Sequence, residues 1–245
     1  MLQEEGFSKL EKNYLWFFLL LLLFGFFYQL GIYPLFLEEP RRGLITLEML
    51  YRENLWVPTQ TGDLYFRKPP FYNWLLILAY RIFGETEFAT RFFSVLSHLL
   101  LGGLTYFFSR KHLGEQRAII ISFSYLLCAD ILFYFSTLGE IDLFYAFVTG
   151  GSIFLIFHFG EKKKYWALFL SVYVLTAIGF LTKGLSSLPY TAISLLVYFI
   201  WTKDFRRLLS VQHFAGIGVF VLMLFGYFYQ YSRFQEVSGW WSTLY

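Results

Sequence analysis

Charged side chains interrupt this apolar chain at a few defined places. Glu38, Glu39, Arg41 and Arg42 stand in FLEEPRR, and Lys68 stands in FRKPP. Glu140 and Asp142 stand in STLGEIDLF, and Lys183 in LTKGLSSLP. Carboxylates grouped with cations are the ingredients of acid–base chemistry beside an anion clamp: the carboxylate moves a proton, and the lysine or arginine holds negative charge. Such groups are costly near a membrane unless they are paired or working. The residues also fit a plainer reading, an interfacial cap whose long charged side chains snorkel to water. Asp130, inside an apolar stretch, is explained as well by an interior polar pair as by a role in function.

The elements that must position these groups are membrane helices. Hydrophobic residues make up 57% of the 245 residues, aromatic residues 24% and charged residues only 15%, against about 25% charged in a soluble domain. A net charge of +3 is too small to argue for a nucleic-acid partner. Cys128, the single cysteine, has no internal disulfide partner. His98, His112, His158 and His213 lack the spacing of metal ligands.

Apolar runs near the length that a bilayer requires, about 20 residues, occur at Tyr14–Tyr33, Ala89–Phe108, Ala118–Phe135, Leu143–Phe159, Tyr165–Leu181, Leu188–Trp201 and His213–Tyr231. The first is longer than a signal-peptide core and no small-residue cleavage site follows it, so it reads as a retained span. The expectation is an all-α polytopic membrane protein with about seven spans. Lys9 and Lys12, then Arg110, Lys111 and Arg117, then Lys162 to Lys164, then Lys203, Arg206 and Arg207 all fall on one side. That side is cytoplasmic by the positive-inside bias, as is the N-terminus. The acids and the lysines of the opening paragraph then face the outer compartment.

The first outer loop, 34–88, is too polar to span and too apolar to be free. GLITLEMLYR places Leu44, Leu47, Leu50 and Tyr51 at helical spacing, with Thr46, Glu48 and Arg52 opposite, and this predicts an amphipathic surface helix. Thr61-Gly62-Asp63 predicts a turn. Two prolines then start a helix over Phe71 to Phe83. At about 1.5 Å per residue it covers about 20 Å, too little to cross. Arg41, Arg42, Arg52, Arg67, Lys68 and Arg81 make this loop unusually basic for an outer segment.

EEPRRGLITLEM, WVPTQTGDLYFRKPPFYNWL, RIFGETEFATR, GEIDLF and LTKG follow one another in this order. In that order the chain resembles the membrane glycosyltransferases of the GT-C fold. Among these it is similar to the protein O-mannosyltransferase-like enzymes and the lipid A aminoarabinose transferases. The resemblance runs from Tyr14 to Pro189. It implies that a sugar moves from a polyprenyl phosphate to an acceptor hydroxyl of lipid A, another glycan or lipid, or a protein. Transfer would occur on the periplasmic face of the inner membrane, with inversion at the anomeric carbon.

Carried over residue by residue, the resemblance puts Glu38 in the place of the family aspartate, Glu39 in that of its glutamate, and Arg41 in that of its arginine. Lys68 matches the lysine before two prolines, Asp142 the second-loop acid, and Lys183 the lysine of the Lys-Gly turn. Glu38 and Asp142 are then the expected catalytic carboxylates. Lys68, Arg41 and Lys183 are expected at the donor phosphate, and Glu39 and Glu140 in support. Some relatives bind a divalent metal through a glutamate just before the KPP lysine. Arg67 stands there in this chain, so no metal ligand is expected at that position.

The resemblance implies a GT-C-like transmembrane catalytic domain over 1–231. SGWWSTLY reads as the start of a truncated outer loop at 232–245, since relatives are commonly longer. Two other readings use the same charges: a transporter or flippase of a lipid-linked or anionic solute, and a non-catalytic truncated member of the family. No inverted repeat marks a transporter, and the charges gather on one side rather than at midplane.

Overall fold

The computed structural model describes residues 7–237 and 239, so the expected outer-loop start at 232–245 lies outside the described residues at 238 and 240–245. The order is α1 (Lys9–Tyr28), α2 (Glu39–Tyr51), β1 (Thr59–Gln60), β2 (Asp63–Leu64), α3 (Phe71–Phe83), α4 (Glu87–Leu113), α5 (Glu115–Leu126), α6 (Ala129–Phe133), α7 (Ile141–Glu161), α8 (Tyr165–Lys183), α9 (Ser187–Trp201) and α10 (Val211–Ser232). The fold is all-α apart from the hairpin of β1 and β2.

Local chemistry fixes the ends of these helices. Ser8 Oγ accepts from the Glu11 N–H while Glu11 Oε2 accepts from the Ser8 N–H, a capping box at the start of α1. Thr86 caps α4, whose last turn carries Arg110, Lys111 and His112 against the negative end of the helix dipole. In the β1–β2 turn both Thr61 and Gly62 have positive φ, 53° and 90°, the geometry of a two-residue hairpin turn that favours glycine.

The chain divides into two compact units. The first runs to Pro40 and resumes over Leu78–Phe144. In it Phe26 and Leu30 at the end of α1 pack against Val95 of α4, with Phe88, Leu99 and Leu132 around them. α5 lies along α4, where Ser122 Oγ donates to the Gly102 carbonyl at 2.8 Å.

The second unit comprises Arg41–Ile77 and the chain from Tyr145 onward. Ile45 and Met49 of α2 pack with Tyr65 and with Ile77 of α3. Val57 packs with Leu181, Tyr227 and Tyr231. Ile156, Phe169, Val172, Leu195 and Phe199 join α7, α8 and α9. α8 and α9 run antiparallel, because their partners count in opposite directions: Phe169 stacks on Phe199 at 5.8 Å, and Thr176 shares a hydroxyl–hydroxyl hydrogen bond with Thr191 at 2.7 Å.

The expected span count is not reproduced by length and composition alone. Among the described residues five helical runs are long and apolar enough to cross, or up to six if the bent pair is one span. The expected third span is that pair, broken between α5 and α6 with a bend of 44°. The expected fifth and sixth spans count there as one run, Tyr165–Trp201, although the contacts above fold that run into a hairpin. The apolar windows of α1 and α10 are only 6% and 11% buried, so most of their apolar surface faces outward, as lipid contact requires. The chain is a multi-pass membrane protein.

The structure corrects the end of α1 and adds a polar inner face to α2. α1 stops short of Tyr33, because the Leu30 and Tyr33 carbonyls accept from Arg91 Nη1 instead of from a further helical turn. On α2 the face buried in the protein is not the leucine face, which a helix at the membrane surface leaves to lipid. Arg42, Ile45, Thr46 and Met49 are buried, whereas Leu44 and Tyr51 are exposed. Thr46 is drawn inward by polar bonds that the hydrophobic pattern does not register.

Candidate functional site

In the first unit, Glu39 opens α2 and is fully buried. Its Oε1 accepts from Arg91 Nε at 2.8 Å and from the Gly139 N–H at 2.6 Å. Its Oε2 accepts from Arg91 Nη2 at 2.8 Å and from the Phe36 N–H at 3.0 Å. Arg91 Nη1 donates to the carbonyls of Leu30 and Tyr33, both at 2.8 Å, and Nη2 also donates to Pro34 at 3.0 Å. A guanidinium carries five N–H donors in a fixed fork, and this one uses them all. A single ion pair thus ties together the exit of α1, the first turn of α2 and the loop before α7.

That loop carries Glu140 and leads into Asp142 of α7. An added Cβ at Gly139 would stand 2.7 Å from the Thr90 carbonyl oxygen and 2.8 Å from Thr90 Cγ2, so only glycine allows this approach to α4. Ser94 Oγ donates to the Glu140 carbonyl at 2.9 Å. Glu140 is half-buried, and Asp142 is half-buried in the first turn of α7, where the helix dipole favours a carboxylate. Glu38 is exposed and follows Leu37, which holds a left-handed φ of 56°. Beside Arg91 lies a cavity of about 780 Å³, lined mostly by apolar side chains such as Leu21, Phe26, Leu30 and Phe133.

The second unit holds the cationic candidates. Arg41 and Lys68 are half-buried, and Arg67 is exposed. The KPP turn leads into α3, whose Asn73 Nδ2 donates to Thr46 Oγ1 at 2.8 Å and fastens α3 to α2. Trp74 Nε1 donates to the Leu55 carbonyl at 2.6 Å. The hairpin is clasped to α2 through Glu48 Oε2, which accepts from Thr59 Oγ1 at 2.6 Å and from the Gly62 N–H at 3.2 Å. Burial works to raise the Glu48 pKa, but these bonds, the Thr61 N–H and the charge of Arg52 outweigh it and hold the carboxyl below its ordinary value. Lys183 closes α8, where the helix dipole favours a cation, with its Nζ 5.1 Å from the centroid of the Tyr145 ring.

The structure therefore places Glu38, Glu39, Glu140 and Asp142 in the first unit and Arg41, Lys68 and Lys183 in the second. Among the described residues no group of three His, Cys, Asp or Glu side chains could hold a metal ion. The cation Arg67 before the KPP lysine does not suit one either. Asp130 is exposed in α6. Arg91 is the residue that sequence reasoning passed over. A lone arginine within an apolar helix was itself the signal, because such a charge demands a buried partner.

The comparisons with known proteins agree with this architecture. The family model described as dolichyl-phosphate-mannose-protein mannosyltransferase matches residues 67–229. An undecaprenyl phosphate-α-4-amino-4-deoxy-L-arabinose arabinosyl transferase of Wigglesworthia glossinidia brevipalpis is 31% identical over 170 residues, 68% of this chain and 30% of that protein. The corresponding transferase 1 of Pseudomonas fluorescens is 30% identical over 216 residues, 84% of this chain and 38% of that protein. The crystal structure of ArnT from Cupriavidus metallidurans in the apo state has the same fold, with a TM-score of 0.80 at 24% identity over 92% of this chain and 43% of that one. The same enzyme bound to undecaprenyl phosphate gives a TM-score of 0.78 at 23% identity, over 90% of this chain and 42% of that one. The chain spans less than half the length of these relatives. The family match takes in more than half of the chain, and the chain belongs to the dolichyl-phosphate-mannose-protein mannosyltransferase family.

Proposed function

We propose that this chain carries the catalytic part of a membrane glycosyltransferase. It moves a sugar from a polyprenyl-phosphate donor to an acceptor hydroxyl on the outer face of the membrane, with the N-terminus cytoplasmic. The observation that carries the reading is the reach of the family match. Residues 67–229 take in Lys68, Glu140, Asp142 and Lys183 together. The relatives named above are transferases that use undecaprenyl-phosphate aminoarabinose, and a structural neighbour was solved with undecaprenyl phosphate. These matches favour transfer over transport.

In the proposed step the acceptor oxygen forms a bond to the anomeric carbon. The bond from that carbon to the phosphate oxygen breaks, and its electron pair leaves with the phosphate. Glu38 takes the acceptor proton, a contribution of about 10²–10⁴-fold. Asp142 orients acceptor or sugar, and either carboxylate favours an oxocarbenium-like transition state. Lys68, Arg41 and Lys183 meet the charge that gathers on the leaving phosphate. Glu39 acts by holding the loop of Glu140 and Asp142, and Glu140 supports that loop. The apolar cavity beside Arg91 suits the hydrocarbon tail of a lipid substrate.

The test incubates membranes carrying the protein with candidate polyprenyl-phosphate sugars and reads the products by mass spectrometry. Glu38→Ala should lower sugar transfer about 10²–10⁴-fold, and Asp142→Ala should also lower it, while donor binding persists. Transfer at the wild-type rate in both variants would overturn the assignment.

A further inference from the structure

Arg42 lies on the buried face of α2 with 7% of its surface exposed, and its Nη1 has no hydrogen-bond partner. A buried, charged donor in that condition costs stability. Position makes the placement stranger. The first turn of a helix carries partial positive charge, which disfavours cations and attracts anions. Arg41 and Arg42 both stand in the first turn of α2.

The backbone beneath Arg42 is held firmly. Its carbonyl accepts from Thr46 Oγ1 at 2.8 Å and from Asn73 Nδ2 at 3.5 Å, and Thr46 Oγ1 accepts in turn from Asn73 Nδ2. An anchored backbone at Arg42, a buried Nη1 without a hydrogen-bond partner and a helix N-terminus together suit an anion.

We propose that Arg42 is an anion ligand, whose Nη1 donates to a phosphate oxygen held at the first turn of α2. The phosphate belongs to a lipid-linked headgroup or is free phosphate, and the lipid-linked choice rests on the donor reading above. Arg42 is thereby a phosphate ligand in addition to Arg41, Lys68 and Lys183.

The test measures thermal unfolding and ligand binding of the detergent-solubilised protein as wild type, Arg42→Gln and Arg42→Lys. The probes are undecaprenyl phosphate, undecaprenol and inorganic phosphate. Undecaprenyl phosphate should raise the wild-type unfolding midpoint and undecaprenol should not. Arg42→Gln should bind the phosphate ligand about tenfold more weakly. Its ligand-free midpoint should stay level or rise, since an unpartnered buried charge is gone. Arg42→Lys should recover part of the binding, having the charge without the fork. A ligand-free midpoint lowered in both variants would make Arg42 a structural residue and overturn the proposal.

Equal binding of undecaprenyl phosphate by wild type and Arg42→Gln would remove Arg42 and leave the donor reading standing. An Arg42-dependent response to inorganic phosphate, with none to undecaprenyl phosphate, would keep the anion site and remove the lipid donor. If neither anion binds the wild type, both readings fail.

Discussion

Glu39 and Arg91 meet at two points, Arg91 Nε donating to one carboxylate oxygen and Nη2 to the other, each at 2.8 Å. Both side chains are almost wholly withdrawn from solvent. Removing one partner of such a pair leaves an uncompensated buried charge and costs about 3–5 kcal/mol. Arg91→Ala and Glu39→Ala should each lower the unfolding midpoint strongly. Arg91→Lys should rescue little, since an ammonium cannot reproduce the fork that also serves Leu30, Tyr33 and Pro34. Thermal unfolding in detergent measures this, and a wild-type midpoint in Arg91→Ala would show that the pair carries little weight.

Gly139→Ala tests the contact between the GEID loop and α4. The new methyl group would meet the backbone of Thr90, which cannot rotate away. Overpacking of this kind costs about 1–3 kcal/mol. The midpoint should fall accordingly, and transfer should fall with it because Glu140 and Asp142 are displaced.

Adjacent glutamates should separate function from folding. Glu38 is exposed and Glu39 is buried. Glu38→Ala should unfold like wild type yet lose about 10²–10⁴-fold in transfer rate. Glu39→Ala should lose its fold first. Parallel unfolding and activity assays on the two variants decide the matter, and equal midpoints would contradict it.

The Glu48 clasp should make the first loop acid-sensitive. Its pKa is lowered in the folded state, so the stability it contributes is present above the unfolded-state value and is lost as pH falls through the lowered folded value. Glu48→Gln should flatten the acid limb of a stability–pH profile below about pH 5. Hydrogen exchange at Thr59 to Leu64 should rise in wild type over the same range. An unchanged acid limb in Glu48→Gln would remove Glu48 from the account.

Local signals in the sequence revealed what is locally determined. Two prolines announced α3 over Phe71–Phe83, and Thr61-Gly62 announced the hairpin turn. The motif order revealed the family, which the match over 67–229 supports. What stayed hidden depends on distant partners. α1 ends at Tyr28 because of Arg91, far along the chain. The buried face of α2 follows Thr46 and its bond to Asn73, which no leucine pattern encodes. The break between α5 and α6 gave no proline or glycine to read. Nothing in the sequence marked Arg91 and Glu39 as partners, since helical periodicity reports neighbours a few residues apart.

The hydrogen bond from Gly139 to Glu39 joins residues 100 positions apart. A ribosome adding about 5–20 residues per second makes Gly139 several seconds after Glu39. Arg91 arrives roughly midway, so a nascent chain passes through a stage in which both partners of the ion pair are made and the loop that completes the site is not. During that stage one hydrogen bond to the Glu39 carboxylate is unmade. Assembly of this face is therefore a late event of biogenesis, set by emergence of the GEID loop rather than by insertion of the first helix.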